Sequence, residues 1–412
     1  MTQPAQRVAF EGSRGAQLAG RLDMPAGPAR AVALFAHCFT CSKDIFAAGR
    51  IAAELNAQGI GVLRFDFTGL GSSEGEFAHT NFSSNLHDLR AAAAWLREHV
   101  KAPQLLIGHS LGGAAVLAVA TDIPEVRAVV TLGAPADVGH IVKLLEPELD
   151  AIAVAGSAPV CIGGRTFTVS QEMIDDLGRH SLEEWVANLH AALLVMHSPV
   201  DNVVGVENAA RLYAAARHPK SYISLDGADH LLSRREDAVD AARMLATWAN
   251  RYLIDESGIV AAPAATAPVV VGEAGQGKFL NHVVIGDHHL MADEPVSVGG
   301  FDAGPSPYDL LGAALGACTS MTMRMYADRK KFAVRRITVE VTHSRVHADD
   351  CQACIEGAAP QGALIDHFQR RLTIDSDLSA AELASLVAIA DRCPVHRTLE
   401  GVARITTHLV TA

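Results

Sequence analysis

A serine between two glycines restricts most strongly what this chain can fold into. Residues 108–112 read Gly-His-Ser-Leu-Gly, with a mostly apolar run at 104–107 before them and small residues at 113–117 after them. This order predicts a buried strand, a tight turn and a buried helix. Such a turn holds the serine exposed and strained, and the glycines keep the neighbouring backbone clear of it. The pattern therefore predicts that Ser110 is a nucleophile.

A serine hydroxyl needs a base and an orienting carboxylate to attack a carbonyl. Asp201 follows the predicted strand 191–196, and His230 follows the predicted strand 221–225. Singly, such residues are usually turn formers or surface groups, but the chain order Ser, Asp, His is that of α/β-hydrolases. Asp229 is the alternative acid, and its adjacency to the histidine makes that geometry awkward. The sequence favours Asp201.

Acyl transfer also needs hydrogen-bond donors for the oxyanion. The predicted strand 31–36 leads into His-Cys-Phe-Thr at 37–40, where α/β-hydrolases usually have His-Gly-Phe. The chain resembles this superfamily over residues 5–252. The resemblance implies that the backbone amides of Phe39 and Leu111 form the oxyanion hole.

Cysteine usage bears on the compartment of the protein. Seven scattered cysteines favour a reducing cytoplasm over a disulfide framework, and no apolar signal segment follows the first residues.

Cys38 and Cys41 form either a catalytic or redox pair or, as is commoner, two buried thiols that act as small hydrophobes. Cys351 and Cys354, with two histidines before them, are too weak a zinc pattern, so we expect no metal.

The remaining pattern sets the domain organisation of the 412 residues. Strands alternate with helices, which predicts a doubly wound, mostly parallel α/β sheet for a hydrolase domain over 1–254. Residues 136–190 break the rhythm and predict a cap insertion over the active site. A linker is predicted at 255–274 and a second domain at 275–412. Five apolar cap residues either line an acyl pocket or, as we favour for most, pack the cap: Leu144, Leu145, Ile162, Phe167 and Met173.

Charge and hydropathy exclude two classes of partner. The net charge of −12 makes nucleic acid an improbable ligand. The apolar segment 255–277 is short and interrupted by prolines, which argues against a transmembrane helix. No membrane partner is expected.

The second domain contains a strongly marked helix. Ser306 suits the N-cap and Pro307 the first turn, and the following residues to 327 are apolar nearly all round. Such a helix is predicted to be buried, with Cys318 in the core of this domain or of a dimer. A second helix over 380–390 is predicted to stop before Cys393 and its following proline.

This domain resembles the OsmC/Ohr family, the osmotically inducible and organic hydroperoxide resistance proteins. The matching phrases are Ser-Pro-Tyr-Asp-Leu-Leu at 306–311, Gly-Ala-Cys-Thr-Ser at 316–320 and Cys-Pro-Val-His-Arg-Thr-Leu at 393–399. The resemblance implies an α+β fold, a homodimer, and a redox pair in which Cys318 attacks an organic hydroperoxide and Cys393 resolves it. A dithiol reductant of the lipoyl type would then restore both thiols, without metal or haem.

Two departures from the family argue against a vigorous peroxidase. Tyr308 stands at the position of the family's glutamate, and no arginine occurs between residues 278 and 311. A buried cysteine without a nearby cation is a poor nucleophile. Arg324 and Arg397 are the candidates to replace the missing cation.

Three hypotheses follow from the sequence. The first is a serine hydrolase that cleaves carboxylic esters of short acyl chains through an acyl-enzyme at Ser110, without a cofactor, and is dimerised by its second domain. The second adds a thiol peroxidase built on Cys318 and Cys393. In the third, the second domain is a module that binds hydrophobic ligands.

Overall fold

Runs of apolar residues build an eight-stranded sheet in the amino-terminal part of the chain. The computed structural model describes residues 5–38, 41–139, 142, 145–162, 165–180, 182–347 and 364–410, and it separates into two units, Met1–Val260 and Ala261–Ala412. The strands of the first unit are β1 Gln6–Glu11, β2 Gln17–Asp23, β3 Ala31–Ala36, β4 Ile60–Phe65, β5 Leu105–His109, β6 Ala128–Leu132, β7 Ser157–Ile162, β8 Arg165–Ser170, β9 Ala192–His197 and β10 Lys220–Ser224.

The sheet order is β1-β2-β4-β3-β5-β6-β9-β10. β1 and β2 form an antiparallel hairpin on β4, and the pairs from β4 to β10 are parallel. Strands β3, β4, β5, β6 and β9 are buried along their whole length, as expected for parallel strands covered on both faces. The predicted doubly wound α/β sheet is confirmed.

Helices cover both faces of the sheet. They are α1 Phe46–Ala57, α2 Phe82–His99, α3 Leu111–Val119, α4 Leu149–Ala155, α5 Gln171–Leu177, α6 Leu182–Ala187, α7 Glu207–Ala215 and α8 Arg235–Ala249. Buried residues of α1 and α8, such as Ile51 and Leu245, form one core with one sheet face, while those of α2 and α3, such as Leu89 and Val116, form the other. Since the strands are parallel, their carboxyl ends share one edge of the sheet, where the functional loops begin.

The insertion between β6 and β9 lies where the sequence predicts the cap. It contains α4, the antiparallel β7–β8 hairpin, α5 and α6. Leu145 and Met173 are fully buried in the core beneath it, and Phe167 packs on Phe77 with ring centroids 5.0 Å apart. These three residues pack the cap, whereas Leu144 and the side chain of Ile162 lie outside the described residues.

The second unit is an α+β domain with two small sheets. Its elements are β11 Val269–Glu273, β12 Asn281–Ile285, β13 His288–Ala292, α9 Pro307–Lys330, β14 Val334–His347, β15 Leu364–Ser376, α10 Ala380–Ala388 and α11 Pro394–Glu400. β11, β12 and β13 pair antiparallel in that order, and β14 and β15 form a long hairpin. A small core joins α9 to this hairpin through Met323, Ala327 and Val334.

The linker is shorter than the predicted 255–274. β11 lies inside that range and pairs with β12, because its alternating valines suit a half-buried strand. At the other end, the amide of Glu256 donates to the Arg30 carbonyl over 2.7 Å, which ties this residue to the first unit. Residues 257–268 contain no helix or strand.

Helix α9 begins as predicted but is not buried as predicted. Ser306 and Asp309 form a reciprocal capping box at its first turn. Met321 and Met325 are 66% and 73% exposed, and Cys318 is only partly buried. In the single chain the hairpin and α10 cover one side of α9, so this domain alone does not bury the whole helix, and the alternative, burial in a dimer, stays a prediction.

The region of Cys393 also differs from expectation. α10 ends at Ala388, and Pro394 begins a new helix, α11, with Cys393 as its N-cap. Proline is compatible with a first turn because the missing N–H has no intrahelical partner there.

Candidate active site

The turn between β5 and α3 has the strained geometry of a nucleophile elbow. Ser110 has φ 56° and ψ −124°, in the left-handed φ region that non-glycine residues rarely adopt. A Cβ added to Gly108 would lie 2.2 Å from the Gly112 carbonyl oxygen, and one added to Gly112 would lie 2.4 Å from that of Ala36. The two glycines are therefore required by close backbone contacts on either side of the serine.

Asp201 and His230 are brought together by the loops after β9 and β10. His230 Nδ1 lies 2.7 Å from Asp201 Oδ2, and both side chains are more than nine-tenths buried. The amides of Val203 and Val204 donate to Asp201 Oδ1, each over 2.9 Å. Burial alone would raise the pKa of Asp201, but the hydrogen bonds from His230 and Val204 outweigh it and lower that pKa. The carboxylate is therefore ionised and can hold the imidazole in one tautomer and orientation.

Asp229, the alternative acid, has a local role. Its Oδ1 accepts the amide of Ser233 over 2.9 Å. Burial would raise the pKa of Asp229, but these hydrogen bonds from Ser233 bring it below its ordinary value. The histidine is thus oriented by Asp201, while Asp229 stabilises the turn that follows.

Gly133, directly after β6, connects the serine to the histidine–aspartate pair. The amide of Ser110 donates to the carbonyl of Leu132 over 2.8 Å. A Cβ on the next residue, Gly133, would lie 3.2 Å from both Asp201 Oδ2 and His230 Nδ1. The elbow is therefore hydrogen-bonded to the end of β6, and the His230–Asp201 pair lies beside the glycine that directly follows that end.

Two buried histidines, which the sequence reasoning missed, brace these loops. His109 donates from Nε2 to the carbonyl of His230 over 2.7 Å, and His197 donates from Nε2 to the carbonyl of Val204 over 2.8 Å. Burial, together with a smaller contribution from the nearby His230, lowers the pKa of His109 to about 4, so this ring is neutral at neutral pH. Each histidine is the last residue of an apolar strand, and this position is the sequence signal by which it could have been found.

The oxyanion side of the site is described in part. Leu111 is the first residue of α3, as expected for an amide donor, whereas Phe39 lies outside the described residues. Cys38 and Cys41 form a disulfide, so the interpretation as two free buried thiols is wrong. Cys38 also lines a small cavity, whose walls are His37, Cys38, Phe67, Asn85, Leu111, Gly112 and Ala115.

A buried ion pair, also missed from the sequence, holds the end of this loop. Lys43 donates from its amide and from Nζ to the two oxygens of Asp66, each over 2.6 Å. Arg64 donates to the Lys43 carbonyl over 2.6 Å. Because Asp66 directly follows β4, the pair fastens the loop after β3 to the neighbouring strand.

The second unit places near Cys393 a cation that the sequence analysis did not name. Arg324 donates to the Val334 carbonyl over 2.9 Å. Arg370, on β15, donates to Thr319 Oγ1 over 3.0 Å, and that hydroxyl lies 3.6 Å from Sγ of the fully buried Cys393. The register of β15 places Arg370 beside Thr319, and the residues around position 370 contain no motif that predicts this contact.

Other features of the second unit bear on the sequence predictions. Tyr308 stacks on His343, with centroids 4.0 Å apart and planes 5° from parallel. Cys351 and Cys354 lie outside the described residues, and among the described residues no group of three or more His, Cys, Asp or Glu could hold a metal. Within the same residues, no helix is both long and apolar enough to cross a bilayer.

Comparison with known proteins divides the chain into the same two parts. The family model of serine aminopeptidase S33 matches residues 27–157, and that of OsmC-like proteins matches residues 300–408. The crystal structure of the esterase domain of a Rhodothermus marinus protein is 51% identical, with a TM-score of 0.52. That match covers 61% of this chain and 99% of the domain.

More distant relatives are similar over little more than half of the chain. An uncharacterized protein, YfhR of Salmonella typhi, is 27% identical over 241 residues, which is 55% of this chain and 75% of that protein. The structure of a putative hydrolase from Agrobacterium vitis is 18% identical, with a TM-score of 0.51, over 60% of this chain and 98% of that one. The second similarity concerns the fold alone.

Proposed function

Since the chain belongs to the α/β-hydrolases over its first unit and joins to it an OsmC-like domain, we propose that it is a serine hydrolase of carboxylic esters. The observation that carries the proposal is the 2.7 Å hydrogen bond between His230 and Asp201 at the sheet edge where Ser110 occupies its strained turn. The high identity to a domain described as an esterase supports esters over peptides.

In the proposed reaction Ser110 Oγ attacks the ester carbonyl carbon while His230 Nε2 accepts its proton. Asp201 keeps the proton of His230 on Nδ1 and stabilises the imidazolium that forms. The developing oxyanion is stabilised by the amide of Leu111 and, as the resemblance implies, by that of Phe39. His230 then protonates the departing alcohol, which leaves an acyl-enzyme at Ser110. A water molecule, deprotonated by His230, releases the acid.

Covalent labelling tests the nucleophile. A fluorophosphonate should label the wild-type chain and the control variant Ser157→Ala, whose serine is exposed at the start of the cap hairpin. Ser110→Ala should lose both labelling and hydrolysis of p-nitrophenyl acetate. Undiminished labelling of Ser110→Ala would refute the proposal.

Chain length of the substrate tests the ester class further. Over p-nitrophenyl esters of increasing acyl length we expect the highest kcat/KM for the short ones. Turnover of long-chain esters alone would contradict this expectation. An aminoacyl p-nitroanilide, run beside them, separates esterase from aminopeptidase activity.

For the second unit we propose a homodimer through α9. Its exposed apolar side chains, Leu311, Met321 and Met325, form a surface that monomeric proteins usually cover. Light scattering should give twice the chain mass, and Met325→Glu should lower it to one chain. A wild-type monomer at micromolar concentration would refute the dimer.

The contacts of Cys393 favour one second activity. The Thr319 hydroxyl contacts this cysteine and accepts a hydrogen bond from Arg370, whose guanidinium also pairs with Asp391. In the candidate reaction a Cys318 thiolate attacks the O–O bond of an organic hydroperoxide, releases the alcohol and becomes a sulfenic acid. The Cys393 thiol condenses with it to a disulfide and water, and a dithiol reduces that disulfide.

Peroxide consumption separates the remaining hypotheses. Loss of cumene hydroperoxide consumption in Cys318→Ser, with ester hydrolysis intact, would establish the thiol peroxidase. Ester hydrolysis without peroxide consumption leaves dimerisation or ligand binding as the role of the second unit. We place these activities in the cytoplasm, which cell fractionation tests.

A further inference from the structure

The disulfide between Cys38 and Cys41 has no role in the proposed catalysis. It lies in the loop that leads from β3 to α1, in a turn where the Cys41 amide donates to the Cys38 carbonyl over 3.2 Å. The two cysteines are separated by two residues, the spacing found in thiol–disulfide oxidoreductases. In a reducing compartment such a disulfide is usually transient and either catalytic or redox-sensing.

The two sulfurs differ in their surroundings. Cys38 is only 6% exposed and forms one wall of the small cavity beside Leu111 and Gly112. Cys41 is partly exposed. A reductant from solution therefore reaches Cys41 first, while the buried Cys38 lines the cavity beside the nucleophile elbow.

The loop is anchored on both sides of the disulfide. Before it, His37 donates from Nδ1 to the Cys38 carbonyl over 2.7 Å and accepts the Phe67 amide at Nε2 over 3.4 Å. After it, Lys43 is bound by Asp66. The disulfide is thus a covalent cross-link within the stretch between the two anchors, His37 and Lys43. That stretch contains residue 39, the position to which the resemblance assigns an oxyanion donor.

We propose that Cys38 and Cys41 form a redox-active site that accepts electrons from small dithiols, and that its state sets the rate of ester hydrolysis. The disulfide form fixes Cys38 in the wall of the cavity beside Leu111 and Gly112 and is the faster enzyme, whereas the dithiol form is slower. The claim about rate rests on the proposed esterase function. The claim about redox chemistry does not.

The exchange balances in atoms and electrons. One thiolate of the dithiol attacks Cys41 Sγ, the S–S bond breaks, and Cys38 leaves as a thiolate. The second thiol of the reagent then displaces Cys41 from the mixed disulfide. Two electrons pass from the dithiol to the protein, the reagent becomes a cyclic disulfide, and the two cysteine thiolates take up the two protons that it lost.

Peptide masses test the redox site without any turnover. The full chain is treated with oxidised or reduced dithiothreitol, alkylated and digested with trypsin. Both cysteines fall in one peptide, residues 31–43, because no Lys or Arg lies between Arg30 and Lys43. We expect an unalkylated peptide, two hydrogens lighter, after oxidation and a doubly alkylated one after reduction. Double alkylation after oxidation would overturn the site.

Hydrolysis of p-nitrophenyl acetate tests the coupling. Reduction should lower kcat/KM by about tenfold, less than the ~10²–10³-fold loss expected when an oxyanion donor is removed outright. Reoxidation should restore the rate, and this comparison uses the wild-type chain alone. The double variant Cys38→Ser, Cys41→Ser should show the lower rate and no response to dithiol. The matched control, Cys161→Ser, removes an exposed free thiol and should respond like the wild type.

The outcomes distinguish the two proposals. Equal, measurable rates in both redox states would overturn the coupling and leave the esterase proposal standing. No hydrolysis in either state would overturn the esterase proposal and the coupling with it, and the peptide masses would still decide the redox site.

Discussion

The protonation of His109 should control the acid stability of the first unit. Its ring is buried at the end of β5 and donates to the His230 carbonyl over 2.7 Å, and burial lowers its pKa to about 4. In an unfolded chain an imidazole titrates near about 6.5. Between these two values the unfolded state binds more protons than the folded state, so stability falls as the pH is lowered. The loss begins below about pH 6.5 and is complete below about pH 4.

The magnitude follows from the two pKa values. A difference of about 2.5 units corresponds to about 3 kcal/mol in full. At about pH 5 the linkage relation gives a loss of about 2 kcal/mol of unfolding free energy. His109→Gln removes the titration while its amide can still donate to the His230 carbonyl. Between neutral pH and about pH 5 this variant should therefore lose about 2 kcal/mol less than the wild type.

Urea unfolding followed by tryptophan fluorescence is the assay. All three tryptophans, Trp95, Trp185 and Trp248, lie in the first unit, so the signal reports that unit. The control His87→Gln removes an exposed histidine from α2 and should follow the wild type at both pH values. If the unfolding free energies of His109→Gln and the wild type fall in parallel with pH, the reasoning is refuted.

Three further predictions concern the same unit. Asp201→Asn should lower kcat for p-nitrophenyl acetate by about 10⁴-fold, because the histidine loses its tautomer control, whereas Asp229→Asn should stay near the wild type. Asp66→Asn leaves the buried Lys43 ammonium with only the half-exposed Asp44, 3.4 Å away, as a carboxylate partner and should cost about 3–5 kcal/mol in urea unfolding; a smaller loss than about 1 kcal/mol would contradict the buried pair. Gly112→Ala forces a Cβ to within 2.4 Å of a carbonyl oxygen and should abolish fluorophosphonate labelling. The control for this substitution is Gly49→Ala on α1, where a Cβ meets no atom within 4 Å, and it should stabilise the fold by about 0.5–1 kcal/mol.

Much of the fold was predictable from the sequence because its signals are local. Buried parallel strands are continuous apolar runs, so β3, β5, β6 and β9 are evident before any contact is known. The exposure of one side of α9 was not predictable. A helix that is apolar all round needs a partner for each face, but the pattern does not say whether that partner belongs to the same chain or to a second copy.

The candidate site divides in the same way. The elbow at Ser110 could be predicted because glycines at both sides of a serine are a steric requirement of the turn itself. Asp201 and His230 could be proposed from chain order, but their hydrogen bond depends on the parallel register of β9 and β10. The order of residues along the chain does not give the distance between His230 and Asp201.

Neighbouring residues in the sequence specify the strained serine turn, the capping box of Ser306 and Asp309, and the alternation of strands and helices that makes the first sheet parallel. The folded chain is needed to see which charges are buried together, as at Lys43 and Asp66, and which cation reaches Thr319 beside Cys393. Hydrogen bonds and ion pairs act over about 3 Å. Distances of that size between residues far apart in the chain are set by strand register and packing.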